Sequence, residues 1–262
     1  MKAGGRACWI TLRSSDRTVA ALGTCILALA ALLTGCATTR STVNSTPAKD
    51  LAYIDHIILT IDDLQRGMDL LEQATGVRPV FGGAHPGRGT QNALLSLGNN
   101  QYIELLAPNL ADTSAAAQAT ADRRKSYFSQ FTKPVPNGWA IRVTNADAER
   151  ARFVERGFKA SEVQPGSRAK PDGQTLRWKT FDPWGLGNQL FPFAIEWGEG
   201  TPHPAATSPS GCRLVDFSME STAADSTRAM FVRAGYPLTI TPGASDRLTL
   251  TIECPKGRVT FP

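Results

Sequence analysis

The sequence is poor in charge and in aromatic residues. Charged residues make up 19% of the chain and aromatic residues 8%, against 42% hydrophobic residues. This composition excludes a collagen, a long coiled coil and a wholly disordered chain. No block of five like charges occurs, and the net charge of +5 falls to +2 once the first 35 residues are set aside. We therefore expect no nucleic-acid partner.

The sequence also lacks an apolar run long enough to cross a membrane. The uncharged stretch at 19–33 has 15 residues, whereas a membrane helix needs about 20. It follows basic residues up to Arg17, a pattern typical of a secretory signal peptide over residues 1–35. An ordinary buried helix is the alternative.

The end of this stretch, Leu33-Thr34-Gly35-Cys36, resembles the lipobox of bacterial lipoproteins. The resemblance implies that Cys36 is lipidated and anchors the chain to a membrane. Because Ala37 follows, it implies the outer membrane, facing the periplasm. Residues 36–50 are rich in Ser, Thr and small residues, which predicts a flexible tether.

Two cysteines lie outside the N-terminal region. In an oxidising periplasm Cys212 and Cys254 could form one disulfide, or they could be two separately buried thiols. Their spacing is not that of a metal site, and the sequence leaves both alternatives open.

A strand-and-helix pattern repeats from residue 51 onward. Three amphipathic helices each end at a glycine, at positions 76, 157 and 235, which are 81 and 78 residues apart. This period predicts an α+β fold of repeated β-α-β-β-β modules, whose curved mixed sheets form a barrel-like cleft. We expect two modules in residues 51–200, joined by a helical segment at about 111–131, and a third, partly degenerate module in 210–262.

Three ionisable side chains interrupt apolar strands. His56 lies in LAYIDHIILTI, Glu104 in QYIELLAP and Glu196 in PFAIEW. Burying a carboxylate costs several kcal/mol unless it is paired or bound to a metal, so each strand implies a partner. An imidazole and two carboxylates facing one cleft suit Zn, Fe, Mn or Ni.

Several motifs together resemble a known family. They are Asp55-His56 in the first strand, the run from Gly82 to Pro86, the strand Gln101–Leu106, and the segments Trp139–Arg142 and Pro192–Trp197. They are similar to the glyoxalase-like domains of the vicinal-oxygen-chelate superfamily, which includes glyoxalase I, extradiol dioxygenases and bleomycin-resistance proteins. The resemblance covers about residues 52–198.

The resemblance implies a divalent metal ion as cofactor. Its ligands would be His56 and Glu104 from the first module and Glu196 from the second. The fourth position falls at or beside Trp139, which cannot bind a metal, and His85 in the glycine-rich segment could replace it.

The resemblance also implies catalytic roles. Glu196, if it leaves the metal, would transfer a proton, and Arg142 would position an anionic group of the substrate. Alternatively, Glu196 could simply pair with Arg142 or Arg177.

Structural roles for the histidines remain open. His56 could be a core histidine bonded to Glu104, His85 could be an ordinary loop residue, and His203, between two prolines, is most simply a solvent-exposed linker residue.

Three functions are compatible with these observations. The first is a metal-dependent lyase, isomerase or dioxygenase acting on a small molecule with vicinal oxygens. The second is a lipoprotein that binds or sequesters a small molecule in the same cleft without chemistry. The third is a structural envelope lipoprotein whose third module forms a homodimer. A shared fold does not decide among them.

Overall fold

A computed structural model describes residues 51–169, 173–188 and 190–262. The predicted signal peptide, Cys36 and the tether lie outside the described residues. Within the described part of the chain, no helix is both long and apolar enough to span a bilayer.

Residues 54–197 fold as two similar units with a short helical connection. In chain order the elements are β1 (Ile54–Thr60), α1 (Leu64–Thr75), β2 (Val80–His85), β3 (Thr90–Gly98), β4 (Gln101–Pro108), α2 (Ala115–Gln118), α3 (Ala121–Phe128), β5 (Val135–Arg142), α4 (Ala146–Glu155), β6 (Gln164–Ala169), β7 (Thr175–Phe181) and β8 (Phe193–Trp197). Each unit has the order β-α-β-β-β.

Local sequence signals set the limits of the helices. Asp63 caps α1, since its carboxylate accepts a hydrogen bond from the backbone N–H of Arg66 at 2.7 Å. Gly76, Gly157 and Gly235 follow three helices with φ of +80°, +82° and +85°. Glycine adopts this left-handed conformation without a steric penalty, so each of these residues ends its helix.

The strands of both units form one eight-stranded sheet. Its order is β2-β3-β4-β1-β5-β8-β7-β6, with β1 parallel to β4, β5 parallel to β8, and β1 antiparallel to β5. The two edge strands, β2 and β6, contact each other, so the curved sheet is nearly closed. The predicted α+β fold with a barrel-like cleft is confirmed.

The C-terminal segment forms a second sheet. Its elements are α5 (Pro204–Thr207), β9 (Arg213–Ser221), α6 (Ala224–Ala234), β10 (Thr239–Pro242), β11 (Arg247–Cys254) and β12 (Gly257–Phe261). From β9 on, this segment repeats the element order of the first two units. The order of its strands in the sheet, β10-β9-β11-β12, differs from theirs. Here the first strand pairs in parallel with the second strand of the unit, whereas β1 pairs in parallel with the fourth.

The C-terminal sheet packs against the second unit. Trp139 on β5 is fully buried, and its ring centroid lies 5.2 Å from that of Phe217 and 6.0 Å from that of Phe231. A disulfide joins Cys212 to Cys254, whose Cα atoms are 4.2 Å apart. Self-association of the third unit, one of the alternatives from the sequence, stays a prediction.

Candidate active site

The inner face of the eight-stranded sheet lines a cleft of about 580 Å³. This volume suits a small organic molecule. The polar lining includes His56, His85, Asn92, Glu104 and Arg168. The apolar and aromatic lining includes Ile58, Tyr102, Leu106, Trp178, Phe193, Ile195 and Trp197.

A β-bulge at Asp55 shapes the polar part. Ile54 pairs with Ile141 of β5, and His56 pairs with Ala140. These two residues of β1 are two positions apart, whereas their partners on β5 are adjacent, so β1 has one extra residue here. A bulge leaves one residue unpaired and re-aims its side chain. As a result the neighbouring side chains of Asp55 and His56 meet, with Oδ1 2.8 Å from Nδ1.

Asp55 is a fully buried carboxylate surrounded by donors. Its Oδ2 lies 3.0 Å from Nε2 of His203, 3.1 Å from Nε1 of Trp197 and 3.2 Å from Nε of Arg142. Burial raises the pKa of Asp55, but hydrogen bonds from His203 and His56 outweigh it and hold that pKa well below its usual range. Asp55 is therefore an ionised acceptor that four side chains share.

His203 differs from its expected role as a solvent-exposed linker residue. Its side chain is only 14% exposed, and its ring makes edge contacts with Tyr102 and Trp197. The ring Nδ1 accepts a hydrogen bond from the backbone N–H of Ala205 at 3.2 Å, so Nε2 carries the proton donated to Asp55. No local sequence signal marks His203 as buried, because its partner Asp55 lies far away in the chain.

Asp55 fixes the orientation of His56. Because Oδ1 of Asp55 can only accept, the proton of a neutral His56 ring lies on Nδ1 and its Nε2 is free for chemistry. That Nε2 lies 3.5 Å from Oε2 of Glu104. The ring of Tyr102 stacks on His56 at 4.7 Å, and Phe193 contacts its edge at 5.4 Å. His56 is thus held in one position.

Glu104 lies between the two histidines. Its Oε1 accepts a hydrogen bond of 2.6 Å from Nδ2 of Asn92 and lies 3.6 Å from Nε2 of His85. Burial raises the pKa of Glu104, but the charges of His56 and His85 and the bond from Asn92 together bring that pKa below its ordinary value. The carboxylate is therefore ionised and available as a base.

His85 is the last residue of β2, whereas the sequence predicts a glycine-rich loop. It pairs with Thr90 of β3, and its Nδ1 lies 2.9 Å from Oγ1 of that residue. Burial lowers the pKa of His85, in spite of the opposing charge of Glu104.

Arg168 is a buried cation that the sequence analysis did not single out. It lies on the edge strand β6, is 5% exposed and donates a hydrogen bond of 3.2 Å from Nη1 to Oδ1 of Asn92. A Cβ on Gly82 would come within 2.4 Å of Oδ1 of Asn92, and a Cβ on Gly83 within 2.8 Å of Nη1 of Arg168. The two glycines therefore belong to β2, where they make room for these side chains.

Glu196 lies away from the other predicted ligands. Its Oε2 accepts a hydrogen bond of 2.7 Å from the backbone N–H of Ala146, at the start of α4, and is 4.0 Å from Nζ of Lys179. Its neighbours Ile195 and Trp197 line the cleft and Glu196 does not. Successive side chains of a strand point to opposite faces, so Glu196 stabilises the helix on the outer face.

Strand register explains why Glu196 does not occupy the position in the second unit that Glu104 has in the first. His56 and Ile58 of β1 pair with Tyr102 and Glu104 of β4, and in the same manner Ala140 and Arg142 of β5 pair with Phe193 and Ile195 of β8. The second unit therefore has Ala140 and Ile195 at the positions that His56 and Glu104 occupy in the first. Neither side chain can bind a metal or move a proton.

Arg142 is bound to the protein itself. Its Nε donates to Asp55, and its Nη2 donates to the backbone carbonyls of Ile54, at 3.2 Å, and of Asn100. It is not among the residues that line the cleft. The side chain thus holds the bulge of β1 in place.

The donors present do not fit a divalent metal ion. Among residues 51–169, 173–188 and 190–262, no three His, Cys, Asp or Glu side chains are arranged to hold one. His56 and His85 both approach Glu104, but the amide N–H of Asn92 points at Oε1 of Glu104 and lies 3.3 Å from Nε2 of His85. Arg168 fixes this amide and adds a buried positive charge, which repels a cation.

Comparison with known proteins agrees with the fold. Residues 54–235 match the sequence profile of the glyoxalase-like domain. No curated protein sequence matches the chain.

Several solved structures are similar to this chain at low sequence identity. A hypothetical protein from Staphylococcus aureus is 14% identical with a TM-score of 0.57, over 80% of this chain and 98% of its own. Methylmalonyl-CoA epimerase from Mycobacterium tuberculosis is 22% identical, with a TM-score of 0.39, over 59% and 91%. The epimerase from Streptomyces coelicolor, in complex with 2-nitronate-propionyl-CoA, is 16% identical, with a TM-score of 0.39, over 55% and 96%. At these identities the likeness concerns the fold alone.

Proposed function

The chain belongs to the glyoxalase-like domain family of the vicinal-oxygen-chelate superfamily, and we propose that it is an enzyme that transfers a proton at a carbon beside a carbonyl group of a small molecule. One observation supports this most directly. Glu104 faces the cleft with its side chain 12% exposed, and its Oε2 lies 3.5 Å from Nε2 of His56. An ionised carboxylate and an oriented imidazole at one site are the groups that general acid–base catalysis requires.

The roles follow from the positions of the protons. Glu104 takes a proton from the substrate carbon, and the C–H electron pair moves into the adjacent carbonyl to give an enolate. His56, with a second ring proton on Nε2, donates a hydrogen bond to the oxygen on which charge develops, and the proton that Glu104 took returns to the neighbouring carbon or oxygen. The product is an isomer of the substrate, so atoms and electrons balance. Asp55 does not touch the substrate but keeps His56 in place, as an orienting carboxylate does in other catalytic sites.

The proposal also predicts that the reaction does not require a metal ion. The sequence resemblance implies a metal-dependent reaction, but the proposed proton transfer needs only side chains of this chain. We expect activity to persist in EDTA and to change little when Zn, Mn, Ni or Fe(II) is added.

Hydrogen–deuterium exchange at carbon tests the proposal without knowledge of the product. The domain comprising residues 51–262 is incubated in D2O with 2-hydroxy ketones, 1,2-dicarbonyls and 2-oxo acids, and C–H exchange is followed by 1H NMR. We expect enzyme-dependent exchange in at least one class and a loss of about 10²-fold or more in Glu104→Gln.

Glu196→Gln is the matched control, because Glu196 is a strand glutamate on the outer face. We expect its exchange rate to match that of the wild type. An equal loss in both variants, or no exchange in any class, would contradict the proposal.

A binding protein without catalysis is the second candidate. It is favoured by Ala140 and Ile195, which leave the second unit without a polar group where the first has His56 and Glu104. This function predicts that a ligand occupies the cleft with unchanged affinity in Glu104→Gln and that its C–H bonds do not exchange.

We also propose that the chain is a lipoprotein of the bacterial outer membrane, anchored through Cys36. The support is the basic segment, the apolar stretch and the sequence Leu33-Thr34-Gly35-Cys36. Mass spectrometry of the full chain from the membrane fraction should detect acyl groups on an N-terminal Cys36. The variant Cys36→Ser should lose them and leave the membrane fraction. Recovery of unprocessed wild-type chain in the soluble fraction would contradict the anchor.

A further inference from the structure

Arg168 is a buried cation whose charge the protein matches only weakly. Its guanidinium lines the cleft, yet within the described part of the chain it forms one hydrogen bond, to the neutral amide of Asn92. Glu104 and Tyr102 act on its charge through space, and among the described residues no carboxylate forms an ion pair with it. Burying a charge is costly unless it is paired, so a partner from outside the chain would compensate this cost.

The guanidinium of Arg168 lines the cleft and packs against two glycines of β2. Gly82 and Gly83 face it and Asn92, and any side chain at either glycine would collide with them. A planar guanidinium matches a carboxylate with two parallel hydrogen bonds, whereas it offers nothing to a cation.

Asn92 links Arg168 to the proposed base. Its Oδ1 accepts from Arg168 at 3.2 Å while its Nδ2 donates to Glu104 at 2.6 Å. One amide therefore separates the cation from the carboxylate that removes the proton. An anionic group held by Arg168 would place the carbon atoms next to it within reach of Glu104.

The remaining lining is largely apolar. The rings of Trp178 and Trp197 meet edge to face, with centroids 5.9 Å apart, and Trp178 lies over Gly166, where a Cβ would come within 2.2 Å of its Nε1. Phe193 and Leu106 also line the cleft. These surfaces favour an aromatic or aliphatic body on the ligand.

We propose that Arg168 binds the carboxylate of the substrate, and that the substrate class is a small monocarboxylic acid with an apolar body. This inference rests on the proposed function for the reaction, but the binding of the acid is measured separately.

The test compares an acid with its neutral amide. Tryptophan fluorescence, to which Trp178 and Trp197 in the cleft contribute, reports binding of 3-phenyllactate and of 3-phenyllactamide to the protein. We expect the wild type to bind the acid about tenfold or more tightly than the amide, as charge-assisted hydrogen bonds imply. In Arg168→Gln the affinity for the acid should fall by that factor and the affinity for the amide should not change.

Arg177→Gln is the matched control, since Arg177 is exposed on the neighbouring strand β7 and outside the cleft lining. It should keep the wild-type preference. Arg168→Lys, which retains the charge and loses the planar geometry, should fall between wild type and Arg168→Gln. If Arg168→Gln does not fold, the inference is tested by Arg168→Lys and by the ratio of the wild type's affinities for the acid and the amide.

Equal affinity of the wild type for acid and amide, no binding of the acid at millimolar concentration, or an unchanged ratio in the Arg168 variants would overturn the inference. The two proposals fail separately. Deuterium exchange without carboxylate preference would reject the role of Arg168 alone, and carboxylate preference without exchange would reject proton transfer alone.

Discussion

Nε2 of His203 lies 3.0 Å from Oδ2 of Asp55, although 148 residues separate them in the chain. His203 belongs to the connection that leads to the C-terminal sheet, and Asp55 is the bulge residue of the first strand. The connection between the barrel and the C-terminal segment therefore contributes to the candidate site, because it supplies one of the four donors that keep Asp55 ionised in the interior.

Asp55→Ala should destabilise the protein more than His203→Ala. Removing Asp55 takes away the acceptor that four donors share, and it removes one partner of a buried charge network, at a cost of about 3–5 kcal/mol. Removing His203 leaves Asp55 with three donors and should cost about 1–3 kcal/mol. Urea unfolding measures both free energies. Asp225→Ala is the control, because that side chain is 98% exposed and its ion pair should matter by less than about 0.5 kcal/mol. Equal effects of the three changes would contradict this account.

The contribution of Asp55 should disappear in acid. Its pKa is lower in the folded protein than in the unfolded chain, where it is about 3.9. The stabilisation is therefore fully present above that pH and is lost as the pH falls toward the folded pKa. The difference in unfolding free energy between wild type and Asp55→Asn should shrink as the pH falls below about 4. A difference in unfolding free energy that grows as the pH falls below about 4 would contradict this prediction.

Gly82→Ala should disturb the cleft. Its Cβ would meet Oδ1 of Asn92 at 2.4 Å, so Asn92 and Arg168 must move, at a cost of about 1–3 kcal/mol. Gly187→Ala is the control, since its Cβ meets no atom within 4 Å and only backbone strain at φ +60° remains, about 1 kcal/mol. The amide resonances of Asn92 should shift in the first variant only. Unchanged Asn92 signals in Gly82→Ala would contradict the packing described.

Purified protein should hold no stoichiometric metal. Elemental analysis of residues 51–262, prepared without chelators and without a histidine tag, checks this. No metal is expected because the N–H groups of the Asn92 amide point at Oε1 of Glu104 and Nε2 of His85, the atoms that would bind a metal. Near-stoichiometric metal that disappears in both His56→Ala and Glu104→Ala would contradict this and restore the ligand set that the sequence resemblance implies.

The repeated units could be predicted from the sequence because their signals are local. Helix periodicity and the glycines at 76, 157 and 235 depend on neighbouring residues only. The place of Gly82 and Gly83 on β2 is not predictable in this way, because glycines are typical of turns and these two serve contacts with residues far away in sequence.

The site was less predictable because it depends on register and on distant contacts. Glu104 and Glu196 both interrupt apolar strands, but a shift of one residue moves a side chain to the other face of a sheet, and Glu196 lies on the outer face. Neither Arg168 nor His203 has a local pattern that marks it as buried. Their positions follow from the curvature of the sheet and the path of the connection.

The most direct test of the central claim is the rate of carbon–hydrogen exchange in D2O for wild type and Glu104→Gln, measured on the compound that the wild type exchanges fastest. The account predicts a fall of about 10²-fold or more in the variant, with its fold and its affinity for that compound retained. An exchange rate in Glu104→Gln equal to that of the wild type would contradict it.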